Sequence, residues 1–375
     1  MEPDITVRRV REAIAKTGLS QAAFAERAGL DSPKLSKSLA SVRRFTSLDL
    51  ANIAELAEVT VDWLLGKERP TPAVAARAAT MSSTERAIDA ATKYAEARAN
   101  LRLVGFARPT PPDIKVPHRG RLIDQGAELA AEALQHVPDY VNRPAEVDLA
   151  DLIEETFGID VVVRDLSCDG LAWGEPTARL ILAATSKVPT RQRFSLAHEL
   201  GHILANDHQD LHVDKDVMDP TDRREPSEMR ANAFAAAFLM PETTVRSAVS
   251  DCQNGLDEDC FSSMVMRFAV SPSALAYRLS NLGLIDPIQR TGFATLTTTR
   301  CAQVAGQIAT YIDWADRSAQ ERRPLAMLSQ MLEAYLTHKT TLRPLADLVD
   351  VSVEQLRQGM APADDVEQDG PAFAP

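Results

Sequence analysis

The sequence predicts a mainly α-helical protein with one small β-sheet, an α+β fold. Apolar residues recur at helical spacing through most of the chain, which is typical of helices that bury one face. Strand-like segments are concentrated in one stretch, where short runs rich in β-branched residues are separated by turn residues. The predicted strands are residues 159–166, 170–174 and 178–184. With 375 residues, of which 45% are hydrophobic, the chain is long enough for two or three domains.

Proline-rich breaks divide the chain into four predicted regions. Residues 1–69 form a helical domain, and residues 70–114 form a linker that contains a helix at about 84–103. Residues 115–290 hold the three strands and several helices, and residues 291–375 form a helical C-terminal region that ends in a loose tail. The helical stretches predicted in the third region are residues 122–135, 191–206, 225–239 and 260–282, and Ser271-Pro272 is predicted to open a helix within the last of them.

The N-terminal domain is predicted as five short helices with marked ends. Ser20 is placed to cap the second helix, and Ser32, followed by Pro33, to cap the third. Gly18 and Gly29 end the first two helices, because glycine adopts the left-handed backbone at a helix C-terminus without strain. The five predicted helices are residues 5–16, 21–28, 32–39, 47–57 and 61–65.

The second and third helices have the layout of a helix-turn-helix. The third helix presents Lys34, Ser36 and Lys37 on its predicted exposed face, where short polar and basic side chains can reach base edges. Arg43 and Arg44 follow it and suit contacts with phosphates. This pattern favours DNA binding over the alternative, a small helical domain kept for protein docking.

The same segment resembles the XRE, or lambda-repressor-like, family over about 65 residues. The resemblance is carried by Ser20-Gln-x-x-Phe-Ala-x-x-Ala-Gly-Leu and by Val61-Asp-Trp-Leu-Leu-Gly. It implies binding to a double-stranded DNA operator, usually as a homodimer. By position it also implies that Gln21 contacts phosphate and that Lys34, Ser36 and Lys37 enter the major groove.

Charge and composition exclude several classes of protein. The net charge is −12, yet residues 1–69 carry 11 Lys and Arg against 10 Asp and Glu. DNA binding must therefore be confined to this first region. No apolar run is long enough to span a membrane, and the first residues do not predict a signal peptide. Four scattered cysteines predict reduced thiols in a cytoplasmic protein, with Cys252 and Cys260 as buried thiols.

The strongest chemical signal is His198-Glu199-Leu200-Gly201-His202. Two histidines four residues apart project from one face of a helix, so both can bind one metal ion. Glu199 lies too close in sequence to complete the ligand set, but it can accept a proton from the attacking water. The third ligand is open at this point: His208, Glu228 and Glu225 are the candidates.

Three further segments resemble the ImmA/IrrE family of metallopeptidases over about residues 115–290. They are Arg193-Phe-Ser-Leu-Ala-His-Glu-Leu-Gly-His-Ile-Leu, Glu228-x-x-Ala-Asn-x-Phe-Ala-x-x-Phe-Leu-Met-Pro and Phe268-Ala-Val-Ser-Pro-Ser-Ala-Leu-x-x-Arg-Leu-x-x-Leu-Gly-Leu-Ile. The resemblance implies a zincin-like, gluzincin fold, with Glu228 preferred over His208 as third ligand. It also implies cleavage of a partner repressor protein, which releases silenced genes in phage-like elements or stress responses.

Residues and resemblance together predict a mechanism. His198, His202 and Glu228 hold Zn²⁺, with Mn²⁺ or Fe²⁺ as alternatives, while Glu199 takes a proton from water and passes it to the leaving amine. The strand at residues 178–184 is expected to pair with an extended substrate at its edge. The favoured hypothesis is a metal-dependent endopeptidase fused to a DNA-binding domain, with a repressor or antitoxin-like substrate. The alternative is a non-proteolytic transcription factor or antitoxin whose peptidase-like domain is a sensor or docking module.

Overall fold

The computed structural model describes residues 5–57, 64–65, 81–108, 111–166, 168–175, 178–207, 212–214, 226–253 and 255–360. The chain divides into two compact units, Met1–Val74 and Ala75–Pro375. Over the described residues it is mainly helical with one small sheet, so the predicted α+β class is confirmed. No helix in this part of the chain is both long and apolar enough to cross a membrane.

The smaller unit is a group of short helices around an apolar core. Its described helices are α1 (Ile5–Thr17), α2 (Gln21–Arg27), α3 (Ser32–Leu39) and α4 (Ser47–Leu56). Phe24, Leu35 and Ile53 are buried in one cluster that joins α2, α3 and α4. Most of the predicted fifth helix, residues 61–65, lies outside the described residues.

Capping residues set the starts of α2 and α3. Ser20 caps α2 as predicted, because its hydroxyl accepts a hydrogen bond from the Ala23 N–H. The prediction that Ser32 caps α3 is wrong, since the Asp31 carboxylate accepts the hydrogen bond from the Lys34 N–H and Ser32 is already helical. A carboxylate at this position is also stabilised by the positive end of the helix dipole.

The larger unit contains the sheet and the remaining helices. Before the sheet lie α5 (Met81–Leu103), α6 (Leu122–Leu134), α7 (Pro138–Asn142) and α8 (Leu149–Phe157). The strands are β1 (Asp160–Arg164), β2 (Gly170–Glu175), β3 (Ala178–Ala184) and β4 (His212–Asp214), with α9 (Pro189–Ala205) between the last two. After them come α10 (Pro226–Leu239), α11 (Glu242–Ser250), α12 (Glu258–Phe268), α13 (Pro272–Asn281), α14 (Pro287–Ala294), α15 (Thr298–Val304), α16 (Ile308–Ser318), α17 (Leu325–Leu336), α18 (Arg343–Leu348) and α19 (Val353–Gly359).

The helical stretch predicted over residues 260–282 consists of two helices, and the second opens at Ser271 and Pro272 as predicted. Ala269 ends α12 in a left-handed conformation with φ of +51°. Ser271 then caps α13, because its hydroxyl accepts a hydrogen bond from the Ala274 N–H. A serine followed by Pro272 opens a new helix more readily than it continues an old one.

Strand β3 lies inside the sheet. The strand order is β1-β3-β2-β4, with β3 parallel to β1 and antiparallel to β2. The expectation that residues 178–184 offer an edge to an extended substrate is therefore wrong. Both sides of β3 already carry the hydrogen bonds of neighbouring strands.

Two apolar cores cover the two faces of the sheet. Side chains alternate along β3, so that Ile181 belongs to one core and Leu180 and Leu182 to the other. The first core also contains residues of α6, α8, α9 and α10. The second contains residues of α5, α17 and α18, which come from the predicted linker and the predicted C-terminal region. The predicted tail beyond residue 360 lies outside the described residues.

The cysteines differ from the prediction at one pair. Cys252 and Cys260, expected as separate thiols, form a disulfide between α11 and α12, with their Cα atoms 5.9 Å apart. The turn between these helices brings the two residues together, which their separation in the sequence does not reveal. Cys168 and Cys301 are buried free thiols.

Candidate metal centre

Helix α9 carries the His-Glu-x-x-His segment into the protein interior. The helix begins at Pro189 and ends before Asn206, which has a left-handed φ of +56°. His198, Glu199 and His202 are each less than 2% exposed. The four-residue spacing places the two rings side by side, with their Nε2 atoms 3.0 Å apart.

Helix α10 supplies Glu228 from its first turn. The Glu228 carboxylate lies 3.2 Å from His198 Nε2 and 3.1 Å from His202 Nε2. The two helices can approach closely because Gly201 of α9 lacks a side chain. A Cβ atom at that position would lie 2.9 Å from the Phe234 ring of α10.

His198, His202 and Glu228 form a donor set that fits one divalent metal ion. Each residue offers one ligand atom, and these atoms all lie within 4.8 Å of one another. Tetrahedral ligands with bonds of about 2.0–2.1 Å to zinc are roughly 3.3 Å apart, close to the separations of 3.0, 3.1 and 3.2 Å found here. Two imidazoles and a carboxylate also suit manganese or iron. The other ligand candidates, His208 and Glu225, lie outside the described residues.

The carboxylates around His202 make the site favour positive charge. Burial alone would lower the pKa of His202, but its hydrogen bonds to Asp207 and Glu228 raise that pKa to about 10. Burial alone would raise the pKa of Glu228, but hydrogen bonds from His198 and His202 hold it well below its usual range. At neutral pH the metal-free cluster therefore holds a proton, which a bound cation would replace.

Sequence reasoning missed the residues behind His202. Asp207 lies 3.4 Å from His202 Nδ1, on the side of the ring away from Glu228, and Arg230 of α10 donates a hydrogen bond to Asp207. A carboxylate in this position can fix the orientation of a metal-binding imidazole. The end of helix α9 brings the two residues together, because the Asp207 N–H donates a hydrogen bond of 3.0 Å to the His202 carbonyl. The predicted end of the helix at residue 206 was the one feature of the sequence that bears on this contact.

Strand β2 closes the site beside Glu199. A Cβ atom at Gly170, the first residue of β2, would lie 2.3 Å from Glu199 Oε1. Only glycine leaves room for the carboxylate in its present position. The sequence pattern indicated Gly170 as a strand residue but gave no sign of this contact.

The predicted DNA-contacting residues lie in the smaller unit. Those with exposed side chains are Gln21, Lys34, Ser36, Lys37 and Arg44. Arg43 is partly buried instead, with Nη1 at 2.9 Å from the Asp49 carboxylate and at 3.2 Å from Ser38 Oγ. Its guanidinium therefore takes part in an internal ion pair.

Comparison with known proteins places a peptidase-type segment around this site. Residues 154–280 match the family model of the IrrE N-terminal-like domain, Peptidase_M78. The chain is also similar to the radiation response metalloprotease IrrE of Deinococcus radiodurans, with 28% identity over 172 residues. The matched region covers 46% of this chain and 48% of that protein, so the chain spans about half the length of this curated relative. These matches support the ImmA/IrrE part of the predicted resemblance.

Proposed function

We propose that this chain is a DNA-binding transcriptional regulator with a metal-dependent endopeptidase domain. The endopeptidase would cleave a repressor or antitoxin-like partner protein and thereby derepress genes of a phage-like element, a toxin-antitoxin system or a stress response. The observation that carries the proposal is the buried group of His198, His202 and Glu228 with Glu199 beside it. The match of residues 154–280 to a metallopeptidase family model supports it.

In this proposal each residue of the site has a separate task. His198, His202 and Glu228 hold the ion, with Zn²⁺ as the first choice. When bound, such an ion supplies Lewis-acid activation of water and of the scissile carbonyl. Glu199 accepts the proton from the attacking water and donates it to the leaving amine. Asp207 positions the His202 ring, and Gly170 leaves the space in which the Glu199 carboxylate lies.

Replacement of Glu199 by Gln tests the proteolytic role. Glutamine keeps the shape of the side chain but cannot accept a proton, so we expect bound metal to stay at about one ion per chain while cleavage is lost. Cells that make either form are compared by mass spectrometry of newly formed protein N-termini, with transcript levels measured in parallel. A cleaved regulator and derepression should be found in cells that make the unmodified chain and should be absent from cells that make E199Q. Derepression that persists in E199Q would instead support the non-proteolytic sensor or docking role.

The DNA-binding part of the proposal rests on the smaller unit. Lys34 and Lys37 are exposed on α3, whose buried side contributes Leu35 to the core. In this proposal a homodimer of a cytoplasmic protein binds an operator through Gln21, Lys34, Ser36, Lys37, Arg43 and Arg44. Arg43 would have to leave its ion pair with Asp49 to take part.

A selection from random double-stranded DNA followed by fluorescence anisotropy tests this part. Lys37→Ala should weaken binding to the selected sequence about tenfold or more, because a base-contacting side chain is lost. Arg8→Ala is the matched control, since Arg8 is an exposed basic residue of α1 that lies beside Glu12. Equal affinities for the unmodified chain and K37A, or no enriched sequence, would overturn the DNA-binding proposal.

A further inference from the structure

A cavity lies against α9, on the side away from the candidate metal centre. Its volume is about 610 Å³, which is within the range of small-molecule binding sites. Pro189, Arg193 and Leu196 line it. At 100° per residue these positions face away from His198 and His202 on the same helix.

The floor of the cavity carries a positive charge that no carboxylate balances. Arg193 donates hydrogen bonds to the backbone carbonyls of Pro144 and Val147 and to the Tyr140 hydroxyl. Among the described residues, no carboxylate forms a hydrogen bond or ion pair with Arg193, and its side chain is only partly exposed. The N-terminus of the 17-residue helix α9 adds partial positive charge. This end of the cavity therefore favours an anionic group.

Two polar atoms at the cavity are buried without a hydrogen-bond partner. They are Thr190 Oγ1 and Arg193 Nε, and neither has a partner in the described part of the chain. Thr190 is only 4% exposed and sits in the first turn of α9. Because buried polar groups are nearly always paired in folded proteins, a ligand whose binding turns these two side chains towards the cavity would pair both atoms.

The acidic side chains that line the cavity are already engaged. Glu146 pairs with Arg143, and Asp313 pairs with Arg317. Asp148 caps α8 and accepts hydrogen bonds from backbone N–H groups of its first turn. These carboxylates therefore do not neutralise Arg193, and the preference for an anion remains.

Another part of the cavity lining is suited to an aromatic ring. Trp314 of α16 belongs to it and is partly buried, and Leu149, Val163 and Leu196 add apolar surface. Thr310 and Ser318 of α16 also line the cavity. An indole beside aliphatic side chains offers a flat apolar surface on which a ring can stack.

We propose that this cavity binds a small aromatic carboxylate. Its carboxylate lies at Thr190 and Arg193, at the N-terminus of α9, and its ring packs against Trp314. This site is separate from the candidate metal centre and does not depend on the proposed peptidase activity.

Isothermal titration calorimetry of the full chain with 2-naphthoate tests the proposal. We expect saturable binding at one site per chain. The uncharged analogue 2-naphthalenemethanol should bind about tenfold more weakly, because it lacks the anionic group. Trp314→Ala should weaken 2-naphthoate binding about tenfold, and Thr190→Val should weaken it by about two- to tenfold through the loss of one hydrogen bond.

Ser262→Ala is the matched control for Thr190→Val. It also removes a fully buried hydroxyl, but Ser262 does not line the cavity, so affinity for 2-naphthoate should not change. Melting temperatures of all variants show whether each one folds, and T190V keeps the size of the side chain if W314A does not fold. No saturable binding of 2-naphthoate, equal binding of the neutral analogue, or T190V that binds as tightly as the unmodified chain would overturn the proposal.

Discussion

Two groups of mostly buried ionisable side chains lie in the larger unit, and they differ in whether their charges balance. The first, here called the arginine–carboxylate cluster, consists of Arg98, Arg108, Arg322, Asp151, Glu154 and Asp160. The second is the candidate metal centre. Three arginines face three carboxylates in the first group. In the second, the carboxylates of Glu228 and Asp207 share one arginine and two histidines, and the charge of Glu199 also acts on His202.

The arginine–carboxylate cluster is satisfied by its own hydrogen bonds. Asp160 is 1% exposed, and Arg98 binds its two oxygens with two hydrogen bonds of 2.7 Å. Arg108 donates a further hydrogen bond of 2.7 Å to the same carboxylate. Arg322 bridges Asp151 at 2.6 Å and Glu154 at 3.1 Å. Every charge has a partner of opposite sign, so this group ties α5, α8 and β1 together and has no need of an ion.

The candidate metal centre has the opposite character. The two Nε2 atoms of His198 and His202 lie 3.0 Å apart and face the same Glu228 carboxylate. A proton or a cation is needed between these acceptors. The comparison shows that the balance of charge, and not burial alone, separates a structural ion-pair group from one that can bind a metal.

Asp160→Asn should have the largest effect on stability. The change leaves the guanidinium groups of Arg98 and Arg108 buried beside a neutral side chain, which costs about 3–5 kcal/mol of unfolding free energy. Urea denaturation followed by circular dichroism measures it. Asp124→Asn is the control, because Asp124 pairs with Arg121 at the exposed start of α6, where no measurable loss is expected. A loss below about 1 kcal/mol for D160N would contradict the structural role of this cluster.

Glu228→Gln should have the next largest effect, measured as the loss of the stabilisation that bound metal adds. A free Zn²⁺ concentration 100 times the Kd stabilises the unmodified chain by about 2.7 kcal/mol. The Gln variant should lose this increment, because a neutral amide is a poor ligand, and D160N should keep it. Denaturation with and without Zn²⁺ measures the increment in all three proteins. An unchanged increment in E228Q would move the third ligand to His208 or Glu225.

Asp207→Asn should weaken metal binding without abolishing it. Loss of a carboxylate that orients a metal-binding histidine typically reduces affinity by about 10–100-fold, or about 1.4–2.7 kcal/mol. Competition with a chromogenic zinc chelator measures the affinity of the metal-free protein, with D124N as the matched Asp→Asn control. An affinity equal to that of the unmodified chain would show that Asp207 does not position His202.

The parts of this site differ in how far they can be predicted from sequence. The pairing of His198 with His202 follows from spacing on one helix, which is a local property. Glu228 lies on a different helix, so residue types left three candidates and the family resemblance was needed to choose among them. Asp207 and Gly170 act through contacts made by the end of a helix and the start of a strand, and periodicity does not register such contacts.

The fold shows the same division between local and long-range information. Helices with clear caps and the strand Ala178–Ala184 were predicted closely, because their signals lie within the segments themselves. The interior position of that strand in the sheet was not predicted, because strand order depends on pairing between distant segments. Likewise, the second core joins α5 to α17 and α18, which proline-rich breaks assigned to separate regions.

The last expected effect, the smallest for a step of one pH unit, is a change of metal affinity with pH, and it follows from the same imbalance of charge. His202 has a pKa raised to about 10 in the metal-free protein, so between pH 7 and 9 a metal ion must displace its proton. Affinity should therefore rise about tenfold, or about 1.4 kcal/mol, for each unit of pH. Glu228 releases no proton in this range, because its pKa lies below its usual value.

Calorimetric titration with Zn²⁺ in two buffers of different ionisation enthalpy counts the released proton directly. About one proton per ion should leave the unmodified chain at pH 8. In D207N the pKa of His202 falls towards its ordinary value, because one of the hydrogen bonds that raise it is weakened. D207N should therefore release less than one proton at the same pH. Equal release from both proteins would mean that Asp207 contributes nothing to the charge preference of the site, and the contrast with the arginine–carboxylate cluster would then rest on Glu228 alone.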